Sequence, residues 1–254
     1  MTLVTNSFEG ITPSGTTITN GNSGGASGTA FNTTSIGTGA SLVSDSTHVA
    51  HGSLAMKAAT AGTSTVSYGN WSTAMGAQTQ VWFRSYLFIT ANPATVLTPI
   101  LFFNTTTQAG GLQITTGGKL QLIDANSATI LTGTLNVSLN NWFRVEGFII
   151  TSATVGQMEY KLFLTPDSAS ADEVMTSAAT QNTNTQVVSY RYGTTLSSAN
   201  QTIWHDDLGL SNVGYIGPSQ PLAGGGGNQG GPTVANLGRN TGGKLYKRKF
   251  YLGL

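Results

Sequence analysis

The chain has 254 residues, no cysteine, 8% charged residues and a net charge of +1. The missing cysteines exclude disulfide scaffolds and thiolate metal sites. A chain of this length buries roughly 70–75% of its unfolded surface and needs no covalent staple. Its charge content is far below the usual ~25%, and Thr, Ser, Asn and Gly stand in for the missing charge. Thr favours strands and the other three favour turns, so the composition points to β-structure with long polar connections.

In chain order, alternation of apolar and polar residues predicts strands at 2–8, 54–58, 63–68, 78–89, 98–104, 112–115, 119–124, 142–151, 156–164, 186–192 and 202–211. Turn signals separate them: Asn92-Pro93, Gly110-Gly111, Asn140-Asn141 and Thr165-Pro166-Asp167. The segments at 112–115 and 119–122 flank Thr116-Gly117-Gly118, where glycine accepts positive φ, and predict a hairpin. Residues 12–40 read as loop, and 168–179 as the one weak helix candidate, with Asp172-Glu173 ahead of Val174-Met175. About eleven strands in one chain suggest two packed antiparallel sheets. The expected fold class is therefore an all-β, two-sheet antiparallel jelly-roll sandwich with an extended C-terminal arm.

The domain plan follows from composition. Residues 1–218 form the sandwich, 219–231 a Gly-rich linker and 232–254 a basic, apolar arm. Divided at Pro221, the body carries six bases against ten acids, −4, and the tail five bases and no acid, +5. The arm residues Lys244, Leu245, Tyr246, Lys247, Arg248, Lys249, Phe250, Tyr251 and Leu252 combine charge with apolar bulk. Such a segment suits docking onto a neighbouring subunit, for example by adding a strand to a sheet edge. Nucleic acid is the second partner class such a charge run admits. The N-terminus shows neither a basic nor an apolar leader region, and no apolar run approaches the ~20 residues of a membrane span. The expectation is synthesis in a cytoplasm without Sec export and without membrane insertion.

Four sequence words narrow the fold. They are Asn6-Ser7-Phe8-Glu9-Gly10, Val81-Trp82-Phe83-Arg84-Ser85-Tyr86-Leu87, Leu139-Asn140-Asn141-Trp142-Phe143-Arg144-Val145-Glu146 and Ile203-Trp204-His205-Asp206-Asp207-Leu208-Gly209-Leu210-Ser211. In this order they resemble the concanavalin A-like (LamG/carbohydrate-binding-module-like) jelly rolls, and more narrowly those of bacteriophage minor tail and virion proteins. The resemblance spans residues 1–218. It implies that Glu9, with Asp206 or Asp207, binds a structural Ca2+ that ties the first strand to the last; otherwise no cofactor is required. The competing reading is that Asp206 and Asp207 point to opposite faces, one of them capping a turn or pairing with Arg144 or Arg191.

No catalytic residue is assigned. Jelly-roll glucanases carry Glu-x-Asp-x-x-Glu, and neither Glu146 nor Glu159 has a carboxylate two positions away. There is no Gly-x-Ser-x-Gly word to activate a serine near His205. His205 reads as a packed strand histidine, and His48 and His51 as loop residues. Carbohydrate binding falls to Trp71, Tyr68, Tyr190 and Tyr192, with Trp71 expected to be the most exposed; core packing is the alternative for all four. Adjacent Trp82-Phe83 and Trp142-Phe143 must divide between core and surface. The expected function is that of a bacteriophage virion structural protein, minor tail or capsid-decorating. Its sandwich contacts host-surface glycans, and its arm binds other virion proteins and further copies of itself. A free lectin-like module is the alternative, and a glycoside hydrolase the weaker third.

Overall fold

A computed structural model describes residues 2–62, 65–195 and 199–219. The expected arm, and all of the linker except Ser219, lie outside the described residues. The described part is all strand and loop, without a helix. Its strands are β1 (Leu3–Asn6), β2 (Thr33–Ile36), β3 (Ser41–Asp45), β4 (Ala55–Thr60), β5 (Ser67–Trp71), β6 (Gln80–Phe88), β7 (Leu97–Asn104), β8 (Thr107–Ile114), β9 (Lys119–Ile123), β10 (Thr129–Asn136), β11 (Phe143–Ile150), β12 (Gln157–Phe163), β13 (Glu173–Thr176), β14 (Ser189–Thr194) and β15 (Gln201–Ser211).

These strands make the expected jelly-roll sandwich. One sheet runs β13-β12-β11-β6-β15-β4-β3, with β1 added to β15; the other runs β10-β9-β8-β7-β14-β5-β2. Every pairing is antiparallel. The chain passes between sheets at β4-β5, β5-β6 and β6-β7, so each sheet's inner face is built from distant segments. Alternation then fills the core. Val81, Phe83 and Leu87 of β6 face Phe102 of β7 and Tyr190 of β14, with Phe83 and Phe102 centroids 5.3 Å apart. The Trp82-Phe83 and Trp142-Phe143 pairs divide as expected: both phenylalanines are buried and both tryptophans half-buried on the opposite face.

The hairpin at 115–118 forms, with Gly118 at φ 80 and its N–H donating to the Thr115 carbonyl at 2.9 Å. Pro99 lies inside β7, which an unbroken ladder would reject; a register shift between Leu97 and Ile100 accommodates it.

Two expectations are corrected. The segment 168–179 holds β13 and not a helix. Val174 and Met175 alternate exposed and half-buried along the sheet, and Glu173 turns inward as a strap between sheet edges. Its Oε1 accepts from the Thr134 and Leu135 N–H groups (2.7 and 3.1 Å), and its Oε2 accepts from the Tyr160 hydroxyl at 2.7 Å. The segment 12–40 holds β2 and is anchored throughout. Ile18 and Phe31 are buried, and the Asn6 amide donates to the Ser23 and Thr29 carbonyls at 2.7 and 2.9 Å. Phe31 lies against Gly69 so closely that a Cβ there would come within 2.3 Å of its ring.

Candidate functional site

The site lies on the outer face of the sheet that contains β6, β11 and β15. Their register places side chains in rows across the strands. Trp204 faces Phe88; Asp206 faces Tyr86 and then Arg144; Gly209 faces Arg84 and then Glu146; Ser211 faces Trp82 and then Phe148. Aromatic rows therefore bracket two polar rows. Arg144, Glu146, Tyr86 and Asp206 are each at most 2% exposed, although they point away from the core. Three segments cover them: the loop 46–53, the loop 164–170, and residues 212–219, which fold back across the sheet after β15.

The returning segment is held by the polar rows themselves. Arg84 donates to the Asp207 and Gly217 carbonyls at 3.0 and 2.8 Å. The Ser219 N–H donates to the Tyr86 hydroxyl at 2.8 Å, and that hydroxyl donates to Asp167 at 2.7 Å. Tyr215 reaches Glu159, with the Lys161 ammonium 3.4 Å from its ring centroid. Arg144 pairs with Glu146 at 3.0 Å, donates to the Pro166 and Ser168 carbonyls, and sits 3.7 Å above the Phe163 ring. Burial pushes the Glu146 carboxyl up and outweighs the opposing pull of Arg144 and Arg84.

The loop 46–53 is held by carboxylates. Asp45 accepts from the Thr47 and His48 N–H groups. Asp206 accepts from Ala50 and His51 at 3.0 and 3.1 Å, and Glu9 accepts from Ser53 and Leu54 at 2.9 and 3.0 Å. The three residues expected to share calcium thus gather on one loop, where their oxygens are occupied by N–H donors. Among the described residues no three His, Asp or Glu side chains are grouped to hold a metal. The competing reading, that Asp206 and Asp207 face opposite ways, is corrected. A register shift falls between Asp206 and Gly209, and Asp207 takes φ 42, so a bulge turns both carboxylates toward the same loop. Neither pairs with Arg144 or Arg191. Arg191 lies on the other sheet, over the Tyr68 and Phe103 rings.

His51 is the residue the sequence did not single out. Its Nδ1 is 2.5 Å from Asp207 and its Nε2 is 2.9 Å from Asp167. Burial works to lower its pKa, but hydrogen bonds and charge from the two aspartates outweigh that and raise it. With an acceptor on each ring nitrogen, the imidazolium is the form that fits. Asp206 is pushed up to about 8 by burial and by the Asp207 charge, against the pull of its N–H donors. His205, on the core side, is held down to about 3 by burial; its Nδ1 lies 3.0 Å from Ser85. It is the packed strand histidine the sequence led us to expect.

These shifts fix a pH profile. The raised values of His51 and Asp206 contribute stability at low pH. It is lost as pH rises, from 3.8 to about 8 for Asp206 and from 6.5 upward for His51. His205 acts oppositely, losing stability as pH falls from 6.5 to about 3, and so cancels Asp206 where the two ranges overlap, between 3.8 and 6.5. Glu9, Asp45 and Glu173 have lowered values, so their contribution also fades in acid. The expected melting temperature is highest between about pH 4.5 and 6.5 and falls above about 7. Asp206→Asn should flatten the alkaline fall. A wild-type melting temperature that climbs from pH 6 to 8.5 would contradict the assignment.

The expected sugar-binding residues are corrected by burial. Trp71, Tyr190 and Tyr192 are all 0% exposed, inside the sandwich. Trp71 points inward because β5 alternates, and its indole N–H donates to the Thr29 and Ala30 carbonyls. Tyr68 is half-buried, but the Arg191 guanidinium lies 4.8 Å from its ring centroid. The half-exposed rings on the outer face are Trp82, Trp142 and Phe148, with Tyr215 more exposed beside them. Among the described residues no helix is long and apolar enough to cross a membrane.

No family model matches this chain, and no curated protein does. Solved structures do. The cellulose-induced protein Cip1 is similar at TM-score 0.52 and 16% identity, over 70% of this chain and 88% of that one. The alginate lyase vAL-1 from a Chlorella virus gives 0.49 and 8%, over 66% and 88%. A Trypanosoma rangeli sialidase gives 0.41 and 10%, over 68% of this chain and 29% of its own. The likeness to Cip1 bears on the fold: this chain is a two-sheet antiparallel β-sandwich of the jelly-roll type.

Proposed function

We propose that this chain is a carbohydrate-contacting jelly roll that serves as a structural component of a bacteriophage virion, in the tail or on the capsid. The observation that carries the glycan reading is a pair of half-exposed tryptophans, Trp82 and Trp142, on one sheet face. They flank the returning segment, six strand positions apart by register, about 20 Å. Aromatic faces stack on the apolar faces of sugars, and the surrounding Thr, Ser and Asn offer hydrogen bonds. Weak single contacts gain strength when many copies act together.

The non-enzymatic reading is supported by how the polar rows are used. Arg84, Tyr86, Arg144 and Glu146 bond to each other or to covering backbone, and the returning segment fills the space a substrate chain would need. The virion placement is supported by the four sequence words and by the division of charge between a −4 body and a +5 tail. The tail then docks on neighbouring subunits and presents the sandwich outward.

The test compares the full chain with a chain ending at Ser219, which keeps the Tyr86 contact. Attachment to particles lacking the protein should need residues beyond 219, while glycan binding should not. Trp142→Ala and Trp82→Ala should each weaken glycan binding by about three- to tenfold. If both chains attach equally, the arm is not the anchor. If both tryptophan variants bind a glycan panel like wild type, this face is not the contact surface.

A further inference from the structure

A concavity of about 520 Å³ opens beside the returning segment. One wall is Thr5 and Ser7 with the turn Gly25-Ala26-Ser27-Gly28; the other is Ile216 and Pro218; Arg84 and Asp207 also line it. Its size is that of a small-molecule site.

Arg84 is the feature that calls for a partner. It is 6% exposed, yet it makes no ion pair with a described residue. Buried cations are normally paired, because removing a charge from water without a counter-charge is costly. The two nearest candidates are already engaged: Glu146 by the Arg144 Nε at 3.0 Å, and Asp207 by His51 at 2.5 Å. Arg84 itself uses Nε and Nη1 on the Asp207 and Gly217 carbonyls, which fix the plane of the guanidinium. Its Nη2 makes no hydrogen bond to a described residue. A fixed guanidinium with a free donor edge is a carboxylate receptor.

We propose that this cavity is a subsite for a carboxylate-bearing sugar unit, a uronic or a nonulosonic acid, with the carboxylate on Arg84. The sugar hydroxyls meet Thr5, Ser7 and the backbone of the 25–28 turn, and its apolar face meets Ile216 and Pro218. Asp207 does not repel the ligand, because His51 stands against its carboxylate. The proposal rests on the glycan reading above and specifies the sugar class.

The test titrates the full chain with glucuronate, N-acetylneuraminate, glucose and acetate, read by NMR shifts or calorimetry. One of the two acidic sugars should bind about tenfold tighter than either glucose or acetate, and which one it is distinguishes the two sources. Arg84→Gln should abolish that preference. Because Arg84→Gln can also disturb the fold, Ala26→Trp provides the second variant. Ala26 is exposed on the cavity wall, so the variant should melt like wild type while losing acidic-sugar binding by about tenfold or more. Glucose or acetate binding as tightly as both acids, or unchanged binding in Ala26→Trp, overturns the proposal. Polymer binding through Trp82 and Trp142 is read separately, so loss of the subsite leaves the broader reading standing, and loss of both ends it.

Discussion

Arg144→Ala should destabilise the protein by about 3–5 kcal/mol, because it leaves a buried carboxylate without its cation. Total stabilities of domains are only about 5–15 kcal/mol, so much of the fold's margin is at stake. Arg144 is 1% exposed and does three things at once. It neutralises Glu146, it holds the Pro166 and Ser168 carbonyls, and it covers Phe163. The loop it holds carries Asp167, which reaches both His51 and Tyr86. The damage should therefore spread to the 46–53 loop. Lysine should not rescue, since one ammonium cannot reproduce a planar fork that serves two carbonyls and a carboxylate. The double variant Arg144→Met, Glu146→Leu should recover much of the loss, because no buried carboxylate is then left without its cation. Urea unfolding measures all three. A cost below about 1 kcal/mol for Arg144→Ala would mean that the pair is open to water.

Trp71→Ala has the second large effect, again about 3–5 kcal/mol. Trp71 is fully buried, with Phe31 at 5.2 Å and Tyr192 at 5.6 Å between ring centroids. Its indole N–H also ties down the Thr29 and Ala30 carbonyls. It is the peg on which the 12–32 segment hangs. Hydrogen exchange in that segment should accelerate in Trp71→Ala well before global unfolding, and Trp71→Phe should sit between the two. A Trp71→Ala protein with wild-type stability and lost glycan binding would restore the exposed position that the sequence suggested.

The sequence carried the architecture well and the site poorly, and the reasons are local. Period-2 patterning is a property of neighbours, so β6, β11, β12 and β15 could be read directly, as could the division of Trp82 from Phe83. β2 and β3 escaped because Thr33-Thr34-Ser35 and Ser41-Leu42 look like loop by composition. His51 could not be found because its partners lie 116 and 156 residues away, brought together only when β15 enters the middle of the sheet. The direction of Asp207 was misjudged because alternation fails at a bulge, and the sequence gives a bulge no marker here. Trp71 was misread for a related reason: the glycine and asparagine before it suggest a turn, whereas Gly69 is there to admit Phe31.

The Glu173 carboxylate has a consequence for how copies of this protein meet. An unpaired strand margin is a template on which another chain can crystallise into sheet. At β10 the Thr134 and Leu135 N–H groups already have an acceptor, and it is a side chain of the opposite sheet. A visiting strand would have to displace a carboxylate that also holds Tyr160. At this margin the molecule is proofed against runaway fibre growth.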